Sequence, residues 1–155
     1  MSQGQAGRRH VFLDKAQPAA YKAAAALSDQ VGAAAEAAGL DRRFVELLNL
    51  RVSQLNGCAY CLDLHHRRAI EAGESERRVA VLDAWQETAL FDERERAALQ
   101  LVESITRLPD PLDRVYAEDE ARAVLGDDAY SAVAWVAITM NAFNRISITS
   151  HHPVR

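Results

Sequence analysis

Apolar positions along this chain recur at intervals of three and four residues, which predicts helices from end to end. Phe44, Val45, Leu47, Leu48, Val52 and Leu55 make one such stripe, and Val79, Leu82 and Trp85, spaced three apart, make another. Residues 96–108, RAALQLVESITRL, are plainly amphipathic; Asp92 and Glu95 precede them at capping-box spacing, and Pro109 and Pro111 close them. No stretch sustains the two-residue alternation of a half-buried strand. Punctuation residues divide the rest. Pro18 stands in the first turn of a helix over 18–38 that Gly39 ends, and Asp41 caps the next helix. Asn56-Gly57 interrupts that one, and a new helix begins at or near Cys58 and runs to Gly73. Ser75 starts a short helix through Trp85, and another covers 113–125 and stops at Gly126. Asp127 or Asp128 is expected to cap the last helix, which is apolar nearly all round and so reads as a central helix or an oligomer contact. The expected fold is all-α: a compact multi-helix single domain over 13–150, behind a flexible N-terminal arm over 1–12.

Composition narrows the function classes. At 155 residues the chain is long enough to bury one core without staples. A formal net charge of −4 argues against nucleic-acid binding, which calls for a basic face. No apolar run reaches the roughly 18 residues of a membrane span. The arginine pair near the start is not followed by the apolar stretch of a secretory leader, so a cytoplasmic location is expected. In that compartment thiols stay reduced, and two nearby cysteines point to catalysis, redox sensing or metal binding before a structural bridge.

Both cysteines of the chain lie in one string, NGCAYCLDLHH, residues 56–66. On a helix at about 100° per residue, Cys58 and Cys61 lie about 60° apart and Cys61 and His65 about 40°, so all three share a face. His66 points about 100° away from His65 and is expected at the surface. The first turn of a helix favours thiolate, and a histidine one turn on can take a proton from Cys61. This is the logic of an activated thiol with a second thiol beside it to resolve the intermediate. Pairing matters more than acidity. A depressed thiol pKa raises the thiolate fraction but lowers its intrinsic nucleophilicity, whereas a neighbouring thiol can reach effective molarities on the order of 10⁵ M. Two other readings stand beside it: packed core cysteines, and a zinc site using Cys58, Cys61 and His65 or His66, which would lack the usual fourth ligand. Local spacing alone does not decide which cysteine attacks. The helix start favours Cys58, and the histidine favours Cys61.

A longer string, ELLNLRVSQLNGCAYCLDLHH, resembles the signature of the AhpD-like alkylhydroperoxidases in the carboxymuconolactone decarboxylase superfamily. The signature consists of a glutamate, a CxxC twelve residues later and a histidine four residues beyond; here these are Glu46, Cys58, Cys61 and His65. QPAAYKAAAAL, AWQETALFDERERAAL and ITMNAFNRISI extend the likeness over about residues 11–148. The resemblance implies an all-α fold assembled as a trimer or hexamer. It implies reduction of small hydroperoxides through a thiol/disulfide cycle with no cofactor and no metal. Cys61 would then be the peroxidatic thiolate and Cys58 the resolving one, with Glu46 and His65 as a proton relay. The donor would be an external dithiol or a lipoylated protein, and neither nucleic acid nor membrane would be a partner.

Two positions depart from the family pattern. Tyr60 stands between the cysteines where some members carry histidine, and Phe143 replaces a tryptophan common in the NxWNR segment. Decarboxylases of the superfamily lack the cysteine pair, so the thiols carry the peroxidase expectation. The alternative expectation is a non-enzymatic redox sensor or helical assembly module whose dithiol reports oxidation.

Overall fold

A computed structural model describes residues 9–155. It contains eight α-helices, one 3-10 turn and, among the described residues, no strand. In chain order these are α1 (Leu13–Ala16), α2 (Pro18–Ala37), α3 (Arg42–Asn56), α4 (Ala59–Glu71), α5 (Glu76–Ala80), the 3-10 turn (Leu82–Glu87), α6 (Glu93–Arg107), α7 (Pro111–Leu125) and α8 (Asp127–Ser150). Residues 1–8 of the expected arm lie outside the described residues.

The last helix is central, as its composition predicts. α8 packs along α2, α3 and α6, while α4 packs on α3 and α7 on α6. Small residues on α8 allow this close approach: Ala129, Ala132, Val133, Val136 and Ala137 are buried in one stripe. α3 contributes Leu47, Leu48, Leu50 and Val52, all at most 2% exposed. Each such side chain contributes roughly 1.5–3 kcal/mol on leaving water.

Polar side chains tie these helices at defined points. Arg51 of α3 is buried and donates to Glu103 of α6 (2.7 Å) and Asp83 of the 3-10 turn (2.6 Å), and Trp85 Nε1 donates to the same Glu103 oxygen at 2.7 Å. Asn144 of α8, fully buried, donates to Ser53 (3.1 Å) and accepts from Asn56 (2.9 Å). Asn56 also donates to Asn141 at 2.9 Å, so the last residue of α3 is pinned to two positions on α8.

Most predicted boundaries hold, with two corrections. The capping box at Asp92 and Glu95 is present in both directions. Asp127 and Asp128, in contrast, do not cap α8; Gly126 occupies the N-cap, and both carboxylates fall in the first turn, where they still meet the positive end of the helix dipole. The helix expected from Ser75 through Trp85 is two pieces, because Val81 and Ala84 leave helical geometry. Leu82 and Trp85 remain buried together, since a spacing of three eclipses in a 3-10 turn.

Candidate active site

The site begins at a glycine. Gly57 ends α3 in the left-handed region (φ 67°), with its own N–H donating to Gln54 and the Cys58 N–H to Ser53. This turn sends α4 back along α3. Cys58 is therefore the N-cap of α4 with extended backbone geometry, and α4 proper starts at Ala59. The Cys58 sulfur accepts the Cys61 backbone N–H at 3.3 Å, as a capping serine oxygen would. Cys58 and Cys61 are joined as a disulfide with 5.3 Å between Cα atoms, and both are buried.

Folding back also brings Glu46 to His65, 19 residues apart in sequence. The Glu46 carboxylate meets His65 Nδ1 at 2.6 Å, and each residue is only 6% exposed. With Nδ1–H donating to the carboxylate, Nε2 keeps its lone pair as a proton acceptor. His66 behaves differently: it lies on the surface and pairs with Glu76 at 3.2 Å. Glu46, Cys61 and His65 all line one groove of about 1300 Å³, whereas Cys58 does not reach it. Val136, Met140 and Phe143 of α8 form much of its apolar wall, which is where the Phe143 departure falls. The Thr139 hydroxyl beside them is the only buried side-chain polar atom without a hydrogen-bond partner among the described residues. No group of three or more His, Cys, Asp or Glu side chains is placed to hold a metal ion among the described residues.

One neighbour of the cysteines escaped the sequence reading. His152, just beyond α8, has its ring 5.4 Å from that of Tyr60, between Cys58 and Cys61. Its Nε2 lies 3.1 Å from Asp14, 138 residues away, so no local spacing could have revealed the pair. The Asp14 carboxyl is held below its ordinary 3.8, first by this hydrogen bond and also by the histidine's charge. The group of Asn141, Asn144, Ser53 and Asn56 was likewise unassigned, although the NAFNR string carried two of its asparagines.

Residues 18–104, which include Glu46, both cysteines and His65, match the model of the carboxymuconolactone decarboxylase family. The chain belongs to that family. The uncharacterized protein YdfG of Bacillus subtilis is 38% identical over 111 residues, covering 70% of this chain and 74% of that protein. The uncharacterized protein YnjA of Escherichia coli is 32% identical over 75 residues, 48% of this chain and 41% of that one. A crystal structure from Agrobacterium tumefaciens, of a protein of unknown function described as a candidate antioxidant defence protein AhpD, superposes with a TM-score of 0.83. It is 31% identical, and the match covers 96% of this chain and all of that one. This family member has the AhpD-like fold, all-α with the CxxC at the start of a helix. No helix among the described residues is long and apolar enough to cross a membrane.

Proposed function

We propose that this protein is a thiol-dependent peroxidase that reduces organic hydroperoxides through a Cys58–Cys61 dithiol/disulfide cycle. The observation that carries the reading is the buried Glu46–His65 pair lining the same groove as Cys61. His65 Nε2 takes the Cys61 proton, and Glu46 stabilises the resulting imidazolium. The Cys61 thiolate attacks the terminal peroxide oxygen; the O–O bond breaks, the leaving alkoxide takes the proton back from His65, and Cys61 becomes the sulfenic acid. Cys58 then attacks that sulfur, forming the disulfide and releasing water.

An external dithiol completes the cycle by attacking Cys61, the sulfur on the groove, and expelling Cys58 as thiolate. The Cys61 N–H aimed at the Cys58 sulfur stabilises that leaving group. The donor's second thiol frees Cys61 and leaves the donor oxidised. A small dithiol or a lipoylated protein has the required chemistry. The setting is the cytoplasm, where such donors stay reduced. The protein works as a homo-oligomer, a trimer or hexamer; Trp135 and Ile138 of α8, 47% and 46% exposed, give it apolar surface to bury.

The antioxidant role suggested for the Agrobacterium protein agrees with this reading. The test is turnover. Purified protein given cumene hydroperoxide and reduced lipoamide consumes peroxide catalytically, and Cys61→Ser abolishes it. Absence of steady-state consumption in the wild type refutes the enzyme and leaves a dithiol that only reports oxidation.

A further inference from the structure

Residues 12–14 and the end of α8 meet at the groove that holds Cys61. α1 has four residues and buries none of them, so its attachment depends on surface contacts with α2 and the end of α8. The Leu13 N–H donates to Ser150 at 3.0 Å, Asp14 meets His152 at 3.1 Å, and Phe12 stacks on the His152 ring at 5.8 Å between centroids. The other nitrogen of His152 sits 3.2 Å from the Ser147 hydroxyl. Both ring nitrogens are thus engaged, and a face of the ring is covered.

Backbone geometry shows how the histidine is aimed. His151 ends α8 in the left-handed region (φ 52°), a conformation that non-glycine residues rarely adopt. That turn, closed by the His152 N–H on Ser147, brings the chain back over the groove. The strained residue stands directly before a side chain that touches Tyr60, and a strained backbone that persists is a mark of a constrained local role. Phe12, Asp14, Tyr60, Cys61 and His152 all line the same groove.

We infer that His152 is a specificity-determining latch: held by Asp14 and placed between Phe12 and Tyr60, it clasps α1 to the end of α8 beside the cysteine turn and limits the size of reagent that reaches Cys61. His152 acts through Tyr60 and α1, not by touching the reacting sulfur. The latch opens because α1 has no buried side chain to hold it, and opening widens the groove mouth next to Cys61. The inference rests on the peroxidase reading only in naming hydroperoxides as the molecules sorted; the sorting itself is a property of the thiol's surroundings.

The experiment measures access to Cys61 by two thiol reagents, small iodoacetamide and bulky fluorescein maleimide, on reduced full-length protein. A Cys58→Ser background leaves Cys61 as the sole thiol. His152→Ala and Asp14→Ala each raise the bulky-reagent rate about 3- to 10-fold and the small-reagent rate less than about 2-fold, the response to losing one or two partly exposed polar contacts. The double variant gives no more than the larger single effect, because both side chains serve one contact. His152→Gln, which keeps a donor for Asp14, stays near the parent, and His66→Ala on the outer face of α4 changes nothing. Should His152→Ala fail to fold, Asp14→Ala opens the same contact from a surface side chain. A bulky-to-small rate ratio that stays at the parent value in the single variants, or adds fully in the double, overturns the latch.

In parallel, with both cysteines present, the kcat/KM ratio of cumene hydroperoxide to hydrogen peroxide rises in His152→Ala. If no peroxide is turned over by any variant while the reagent ratio shifts, the peroxidase reading fails and the latch stands. Turnover with an unchanged reagent ratio overturns the latch and leaves the peroxidase standing.

Discussion

Glu46→Gln tests the relay most directly. Glutamine matches glutamate in shape, so no cavity opens, and its oxygen can still accept the His65 Nδ1–H. What disappears is the charge. At 2.6 Å, with both residues 6% exposed, the pair is beyond effective solvent screening, so no large discount for water applies. A hydrogen bond to a charged partner contributes about 1.5–3 kcal/mol, against about 0.5–1.5 for a neutral one. The carboxylate matters most when His65 becomes an imidazolium, on accepting the Cys61 proton. Loss of the difference, about 1–1.5 kcal/mol, slows the step by about 5- to 13-fold. The assay is kcat/KM for cumene hydroperoxide with reduced lipoamide as donor, alongside thermal melting. The expected result is a fall in that range with little change in Tm. His66→Ala, which removes an exposed pair on the same helix, leaves the rate near the wild type. If Glu46→Gln stays within about 3-fold of wild type while folded, the carboxylate is not part of the rate-limiting chemistry and the relay is wrong.

Three further perturbations read other parts of the structure. Asn144→Ala removes the hydrogen bonds to Ser53 and Asn56, each of which keeps one other partner, and a loss of about 1–3 kcal/mol, or roughly 2–12 °C in Tm, follows in thermal unfolding. Gly57→Ala meets no steric obstacle, since no atom lies within 4 Å of the added Cβ, but the φ of 67° costs about 1–2 kcal/mol in urea unfolding; a neutral result would mean that the turn is free to rearrange. Asp14 has its pKa depressed below 3.8 in the folded state, so its contact with His152 contributes stability above that pH and loses it as pH falls through the lower folded value. The Tm difference between wild type and Asp14→Ala is therefore present at pH 6 and shrinks toward zero in acid below pH 3.8; a difference constant across that range contradicts the assignment.

How much is legible in the sequence varies with the range of the interaction involved. The capping box at Asp92 and Glu95 and the break at Asn56-Gly57 are decided within four residues, and both are found where the sequence puts them. The spacing of Leu82 and Trp85 predicts one continuous helix, although a spacing of three fits a 3-10 turn equally well. At Gly126, aspartates with good capping propensity give way to a glycine whose positive φ the α7–α8 turn uses.

The amino-acid sequence by itself determined the helical class, most element boundaries and the placing of Cys61 and His65 one turn apart on α4, because periodicity, caps and breakers act over a few residues. It also named Glu46, but only through likeness to a family; nothing local said which way that side chain points. Tertiary structure decided that direction, since Gly57 folds α4 along α3 and sets Glu46 against His65 in a buried contact. It alone placed His152 beside Tyr60 and Asp14, joining residues at opposite ends of the chain. Contacts of that kind depend on how helices pack on the central α8, which brings distant residues together irrespective of sequence spacing.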